Sequence, residues 1–260
     1  MKLQQKLFTA VILLCSASSF AQTDSLDFKD GFFFLPEKKY TTEDINTRIS
    51  KVYSGNTLVD STKEETVLQM VITTGKISQK DGDFPVSIKN LRCDQFPFVQ
   101  NMEIKGYSKP LETPVFTEVS IPSMVLDQET SDFVIKKMLN FSKSMELPSK
   151  KIKTGDTLSI TYIYNMPEGQ GHSKMDINFI LKEIKEGKAY FDVTRTQKLE
   201  DSPDISGGEK ASGKAVYDIA NHILLSMNIE SNLIFTNKNS ERVVKITGTE
   251  RHTTIIEDNP

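Results

Sequence analysis

The chain has 260 residues, a formal net charge of −3 at neutral pH, two cysteines and no tryptophan. This length is sufficient to bury a large core. The acidic balance argues against a nucleic-acid-binding protein, which needs a basic surface to displace counterions. We therefore expect a folded protein with no nucleic-acid partner.

The first 21 residues have the pattern of a secretory signal peptide. Lys2 and Lys6 give a positive start, and Phe8–Cys15 is an apolar stretch too short to span a bilayer. Ser19 and Ala21 place small residues where a signal peptidase cuts. Cleavage after Ala21 removes the two lysines and changes the net charge from −3 to −5. We expect an exported protein, periplasmic or extracellular, that is soluble after cleavage and has no later transmembrane segment.

The two cysteines leave one alternative to simple secretion. A lipoprotein acylated at Cys15 would favour a small residue before the cysteine, whereas Leu14 occupies that position. After cleavage Cys93 is the only cysteine, so no internal disulfide can form. Exported chains of this size fold without one when they bury a real core, and we expect Cys93 to be half-buried.

Residues 22–125 are predicted to form an N-terminal β-rich half. Gln22–Asp30 is polar and is expected to be an irregular lead-in. Asp81-Gly82 is a strong hairpin turn signal, because glycine readily adopts the positive φ that such turns need. Alternating apolar residues predict strands at Ile45–Tyr53, Glu65–Ile77, Phe84–Leu91 and Val115–Ile121.

Residues 126–146 are predicted to form the main helix, at about 127–146. Asp127 or Ser131 can serve as its N-cap, and Leu147-Pro148 ends it, because the residue before a proline avoids helical geometry. An apolar stripe at helical spacing supports this prediction.

The stripe is the candidate ligand-binding site. It consists of Val134, Met138, Phe141 and Met145, broadened by neighbouring aliphatic residues. Two methionines and a phenylalanine form an adaptable apolar face. One interpretation is that this face only covers a β core. The other is that helix and sheet enclose a cavity for an acyl chain or another apolar ligand.

Residues 147–260 are predicted to form a C-terminal β-meander. The segment 200–212 is interpreted as a loop, and Gly248 is expected to break the last strand. Residues 215–225 fit either a helix or a hairpin that turns at Asn221-His222, and the strand-like neighbours favour the hairpin. The other predicted strands are Thr157–Asn165, Ser173–Ile184, Ala189–Lys198, Ile223–Thr236 and Arg242–Ile256.

No motif for catalysis, metal binding or cofactor binding is found. Gly208–Ala215 matches a P-loop except at its last position, where magnesium binding needs Ser or Thr. No strand–helix context surrounds it, so a flexible glycine-serine loop is favoured. His172, His222 and His252 are far apart and lack ligand spacing. We expect no catalytic residue, no metal and no cofactor, and therefore a protein that is not an enzyme.

Two stretches of the chain are similar to each other. Leu35–Asp44 and Leu147–Asp156 share Leu, Pro, two lysines, Thr and Asp in register. In each copy the proline ends the preceding element and the lysines keep the segment solvated. In the second copy Gly155-Asp156 makes a turn. The repeat therefore predicts two similarly opened β-rich halves.

Three features carry a resemblance to a known group of proteins. They are the signal peptide ending in Phe-Ala before Gln22, the phrase from Leu147 to Thr157, and Gly213–Ile219. Together they resemble a family of uncharacterised exported Bacteroidota proteins, although Thr157-Leu158 replaces the aromatic strand usual there. The layout is also similar to half-barrel lipoprotein carriers and lipid-binding mycobacterial lipoproteins, which implies a curved antiparallel sheet with a helix against it.

The sequence thus predicts an α+β protein that is mainly antiparallel β, with two curved sheets or half-barrels and one main helix packed against them. We expect an exported cell-envelope protein that binds a lipid or other apolar ligand between helix and sheet. The alternative is a structural or protein-interaction module that binds an envelope protein and no small molecule.

Overall fold

The computed structural model describes residues 25–29, 33–95, 97–122, 124–144, 149–165 and 172–259. Helix α1 spans Gln128–Ser144, and a 3-10 turn spans Pro97–Val99. The strands are β1 (Ser25–Phe28), β2 (Lys38–Ser54), β3 (Thr57–Thr74), β4 (Phe84–Cys93), β5 (Glu103–Ser108), β6 (Val115–Ser120), β7 (Lys150–Lys153), β8 (Thr157–Asn165), β9 (His172–Lys185), β10 (Lys188–Glu200), β11 (Ile205–Asp218), β12 (Ile223–Asn237) and β13 (Arg242–Asp258).

Eleven strands form one open antiparallel sheet in the order β6-β5-β4-β3-β2-β13-β12-β11-β10-β9-β8, and β1 pairs with β7 in a separate two-stranded sheet. The prediction of mainly antiparallel β structure with one main helix is confirmed. The strands of the two predicted halves lie side by side in the one large sheet. They meet at the β2–β13 junction, where Lys38–Ser54 pairs along its whole length with Arg242–Asp258.

Two apolar clusters lie on one face of the large sheet, which we call the inner face. The first is built on β8–β12 and includes Phe191 and Tyr217, with Leu26 of β1 and Ile152 of β7 packed into it. The second is built on β2–β6 around Tyr40, and residues of α1 pack against it. The small sheet and the helix therefore cover the inner face where β2 begins.

The opposite end of the large sheet, where β2 ends and β3 begins, is its open end. The first nine residues of β3 are exposed, although their side chains alternate between the two faces. In the described part of the chain, the elements outside the large sheet, β1, β7 and α1, pack on the two clusters. The clusters lie away from the open end, so the sheet is a single layer there.

The internal repeat marks equivalent core positions. Tyr40 in the first copy and Ile152 in the second are both fully buried, one in each cluster. Gly155 adopts φ 92°, and Asp156 accepts a hydrogen bond from the amide of Lys153 at 2.9 Å. The copies then differ, because the first runs into β2 whereas the second forms the separate strand β7.

Most predicted strands of both halves are observed, with ends that differ by a few residues. The hairpin at 215–225 is confirmed, since β11 ends at Asp218 and β12 begins at Ile223. Helix α1 begins as predicted, with Asp127 Oδ1 accepting a hydrogen bond from the amide of Thr130 at 2.7 Å. In the described part of the chain, no helix is long and apolar enough to cross a membrane.

Three local predictions were wrong. The segment 200–212 and the glycine-serine stretch after it are largely strand β11. At Gly213 a Cβ atom would overlap the carbonyl oxygen of Asn228, so the glycine permits close approach of β12. Gly248 does not break β13, because it is paired on both sides. The lead-in contains β1, whose Leu26 and Phe28 are buried.

Candidate functional site

A cleft of about 330 Å³ lies on the inner face towards the open end of the sheet. Strand register places Arg195, Ala211, Ser231, Gly248 and Arg48 in one row across β10, β11, β12, β13 and β2. Two arginines thus stand at the ends of a row whose three middle positions are small. The small residues form a low floor on which longer side chains can lie.

Arg195 crosses this floor to join two carboxylates. Its Nε and Nη2 donate to Glu209 at 3.0 and 2.9 Å, and its Nη1 and Nη2 donate to Glu250 at 2.8 and 2.7 Å. Strands β10 and β13 are three spacings apart, about 14 Å along the sheet. The small middle residues let the Arg195 and Glu250 side chains span that distance.

The ion-pair network is shielded from water and strongly coupled. The side chains of Arg195 and Glu209 are only 13% and 9% exposed, so neither is an ordinary surface charge. Hydrogen bonding to Arg195 holds the pKa of Glu250 below its usual range, and the positive charge of Arg48 acts in the same direction. The two carboxylates, Glu250 first, raise the pKa of Arg195. Arg195 and Glu250 are therefore both charged at neutral pH.

Apart from Gln197, the rest of the cleft is apolar. Met175, Leu233, Phe235 and Ile246 line it, each half-buried. Leu233 and Ile246 face each other across β12 and β13, and Leu233 is also opposite Glu209. The cleft therefore combines charged groups with an apolar wall that extends towards the open end, which is suited to an amphipathic molecule.

The four predicted ligand residues of the helix lie elsewhere. Met138 packs against the second cluster, together with Ile135 and Leu139. Val134 is half-buried. Phe141 lies within α1 but its side chain is outside the described part, as is the whole of Met145. A ligand site on this helix face therefore stays a prediction.

The three histidines have separate partners. His172 lies 3.0 Å from Glu200, and His252 lies 2.8 Å from both Asp44 and Thr254. His222 lies 3.3 Å from the Tyr217 hydroxyl, in the turn between β11 and β12. Among the residues that the structure describes, no group of three or more His, Cys, Asp or Glu side chains is arranged to hold a metal ion.

Sequence reasoning missed the ion-pair network, but one signal pointed towards it. In β10, Ala189, Phe191 and Val193 alternate as buried residues, and Arg195 continues the same alternation. A charged residue at an inward position needs a partner. That partner could be sought only on neighbouring strands, and Glu209 lies in the segment interpreted as a loop.

Comparison with known proteins yields structural neighbours only. No protein-family model matches the chain, and no curated protein matches it. The fold is similar to that of lipovitellin, in a structure concerned with its lipid–protein interactions, at 12% identity and a TM-score of 0.41. The match covers 87% of this chain but 26% of lipovitellin, so the chain spans about a quarter of that protein.

Two further neighbours are bacterial. One is an exported protein with a YmcC-like fold from Bacteroides fragilis, at 11% identity and a TM-score of 0.26, covering 83% of this chain and 96% of that one. The other is an outer membrane channel from Pseudomonas putida, at 6% identity and a TM-score of 0.18, covering 86% and 98%. The neighbours thus include an exported protein from Bacteroides fragilis. TM-scores below 0.5 add nothing about function.

Proposed function

We propose that this protein is an exported cell-envelope protein that binds an apolar or amphipathic ligand without transforming it. The ligand lies in the cleft on the inner face of the sheet. The N-terminal signal-peptide pattern supports export. The cleft, and not the helix stripe alone, is the site that the geometry favours.

One observation carries this proposal. Four large apolar side chains line a cleft at the single-layered end of the sheet, where no described element covers them. When a ligand removes these apolar groups from water, the free energy falls by about 25 cal/mol per Å² of buried apolar surface. The adjoining charges would orient a ligand that has one polar end.

The test compares two neighbouring residues on β12. Leu233 faces the cleft, whereas Ile234 lies on the opposite face and is 43% exposed. We expect the delipidated protein to bind an uncharged environment-sensitive dye. Leu233→Ser should weaken this binding severalfold, and Ile234→Ser should leave it unchanged. Absence of dye binding, together with no lipid in native mass spectra of freshly purified protein, would refute the proposal.

The absence of catalysis is part of the proposal. The two carboxylates that line the cleft, Glu209 and Glu250, are both occupied as partners of the Arg195 guanidinium. A general base or nucleophile needs to reach substrate instead. Recovery of a chemically unchanged ligand after extended incubation with the protein is the expected result, and a new product would overturn this part.

A second candidate function is protein interaction, and one surface favours it. Met124 and Val125, just before α1, and Phe133 within it are 53%, 98% and 59% exposed. Large exposed apolar side chains commonly mark contact sites. If this is the main function, Val125→Glu should abolish capture of a defined envelope protein by crosslinking while dye binding in the cleft stays unchanged.

A further inference from the structure

Arg48 and Arg195 line the same cleft but differ in what they can still bind. A guanidinium has five N–H donors, and Arg195 uses donors on all three of its nitrogens for Glu209 and Glu250. These bonds use four of the five donors, so an anion could form a two-donor contact with Arg195 only by displacing a carboxylate. Arg195 is therefore part of the scaffold of the cleft and is not a binding group.

Arg48 is exposed and lines the cleft from β2. Its guanidinium forms no hydrogen bond and no salt bridge with any described residue. Its cross-strand neighbours are Gly248, which has no side chain, and Glu64, which is exposed and is not in ion-pair contact with it. Its donors are thus available on the side that faces the low floor.

Arg48 is the cationic group of the cleft that an anion can reach without displacing a carboxylate. Glu209 and Glu250 are engaged with Arg195 at hydrogen-bonding distance, and Arg195 balances one of their two negative charges. The positive charge of Arg48 still reaches Glu250 and helps to hold its pKa low. A cationic headgroup in the same place would meet the guanidinium of Arg48 directly.

The apolar wall begins next to Arg48. Gly248 is its partner on β13, and Ile246 is the next residue of β13 on the same face, opposite Leu233. Successive side chains on one face of a strand are about 7 Å apart. An anionic group at Arg48 therefore leads directly onto an apolar surface that continues to Phe235.

We propose that the ligand is an amphipathic acid, with its anionic headgroup bound to Arg48 and its hydrocarbon chain on Ile246, Leu233 and Phe235. This inference rests on the proposed function, because it names the chemical class of the ligand for the same cleft. The shared chemistry is a single anionic group on a hydrocarbon chain.

The experiment measures displacement of the uncharged dye from the delipidated protein by dodecanoate, dodecanol and butyrate at pH 8. We expect dodecanoate to bind about tenfold more tightly than dodecanol, near the lower end of what a charge-assisted hydrogen bond contributes. Butyrate has the charge without the chain and should not displace the dye. Added salt should narrow the difference between dodecanoate and dodecanol, since Arg48 is exposed.

Variants identify the headgroup site. Arg48→Gln should bind dodecanoate and dodecanol with equal affinity, while its far-UV circular dichroism spectrum is unchanged. The matched control is Arg251→Gln, because Arg251 is an exposed arginine on the opposite face of β13. It should keep the full preference for the acid.

Two results would overturn the inference while leaving the proposed function in place. One is equal binding of acid and alcohol by the unmodified protein. The other is an unchanged preference in Arg48→Gln. Failure of the dye and of both long-chain ligands to bind would instead refute the proposed function itself.

Discussion

Replacing Arg195 with methionine tests whether the ion-pair network supports the sheet. The change keeps much of the side-chain length but removes the donors that reach Glu209 and Glu250. Two carboxylates would then remain in a place where Glu209 is only 9% exposed. Removing one partner of a buried pair costs about 3–5 kcal/mol. Because Glu250 is 25% exposed, we expect the free energy of unfolding to fall by about 3 kcal/mol at pH 7.

The loss should depend on pH in a defined direction. Arg195 lowers the pKa of Glu250 in the folded protein, so ionised Glu250 stabilises the fold above its unfolded pKa of about 4.3. That stabilisation is lost as pH falls through the lower folded pKa. The difference between the unmodified protein and Arg195→Met should therefore be largest above about pH 5 and should shrink below about pH 4.

Urea unfolding followed by far-UV circular dichroism measures both effects, since the chain has no tryptophan to report on folding. The control is the triple variant Arg195→Met/Glu209→Gln/Glu250→Gln, which removes the charges together and should recover most of the lost stability. A loss below about 0.5 kcal/mol, or one that is the same at pH 4 and pH 7, would refute the reasoning.

Two further changes test the core and the glycine strand. Tyr40→Phe removes a hydroxyl that accepts a hydrogen bond from the Leu35 amide at 2.9 Å, and should cost about 1 kcal/mol in urea unfolding. Burial raises the pKa of Tyr40, so the folded protein should lose stability as pH rises above about 10. Tyr40→Phe should lose less stability over the same pH range. Gly213→Ala should lower the free energy of unfolding by about 2 kcal/mol, because the added methyl group forces β11 away from β12. The control is Ser212→Ala, which changes an exposed residue and should lower it little. Equal effects of the two changes would contradict the close approach at Gly213.

Much of the secondary structure could be predicted because its signals are local. Alternation within residues 157–165 or 189–198 needs no knowledge of the pairing partner, and the Asp127 cap needs only the three residues that follow it. Strand β11 was not predicted because its glycines locally favour a loop. Their real reason is the closeness of neighbouring strands, which a local pattern does not show.

The candidate site could not be predicted in the same way. Arg195 could be placed inward by its alternation with Val193, but Glu250 is 55 positions away and reaches it only through the register of four strands. Register across neighbouring strands is decided by the whole set of pairings and not by any one segment. The helix stripe was easier to find because its members follow one another along a single element.

The β2–β13 junction makes the order of synthesis matter to this protein. Lys38 and Asp258, which form an ion pair there, are 220 positions apart. During synthesis β2 can gain β3 early, but its other edge has no partner until nearly the whole chain exists. An unpaired strand edge can join other chains, and closing so long a loop slows folding. Because β13 also carries Glu250, the last strand completes both the continuous sheet and the charged side of the cleft.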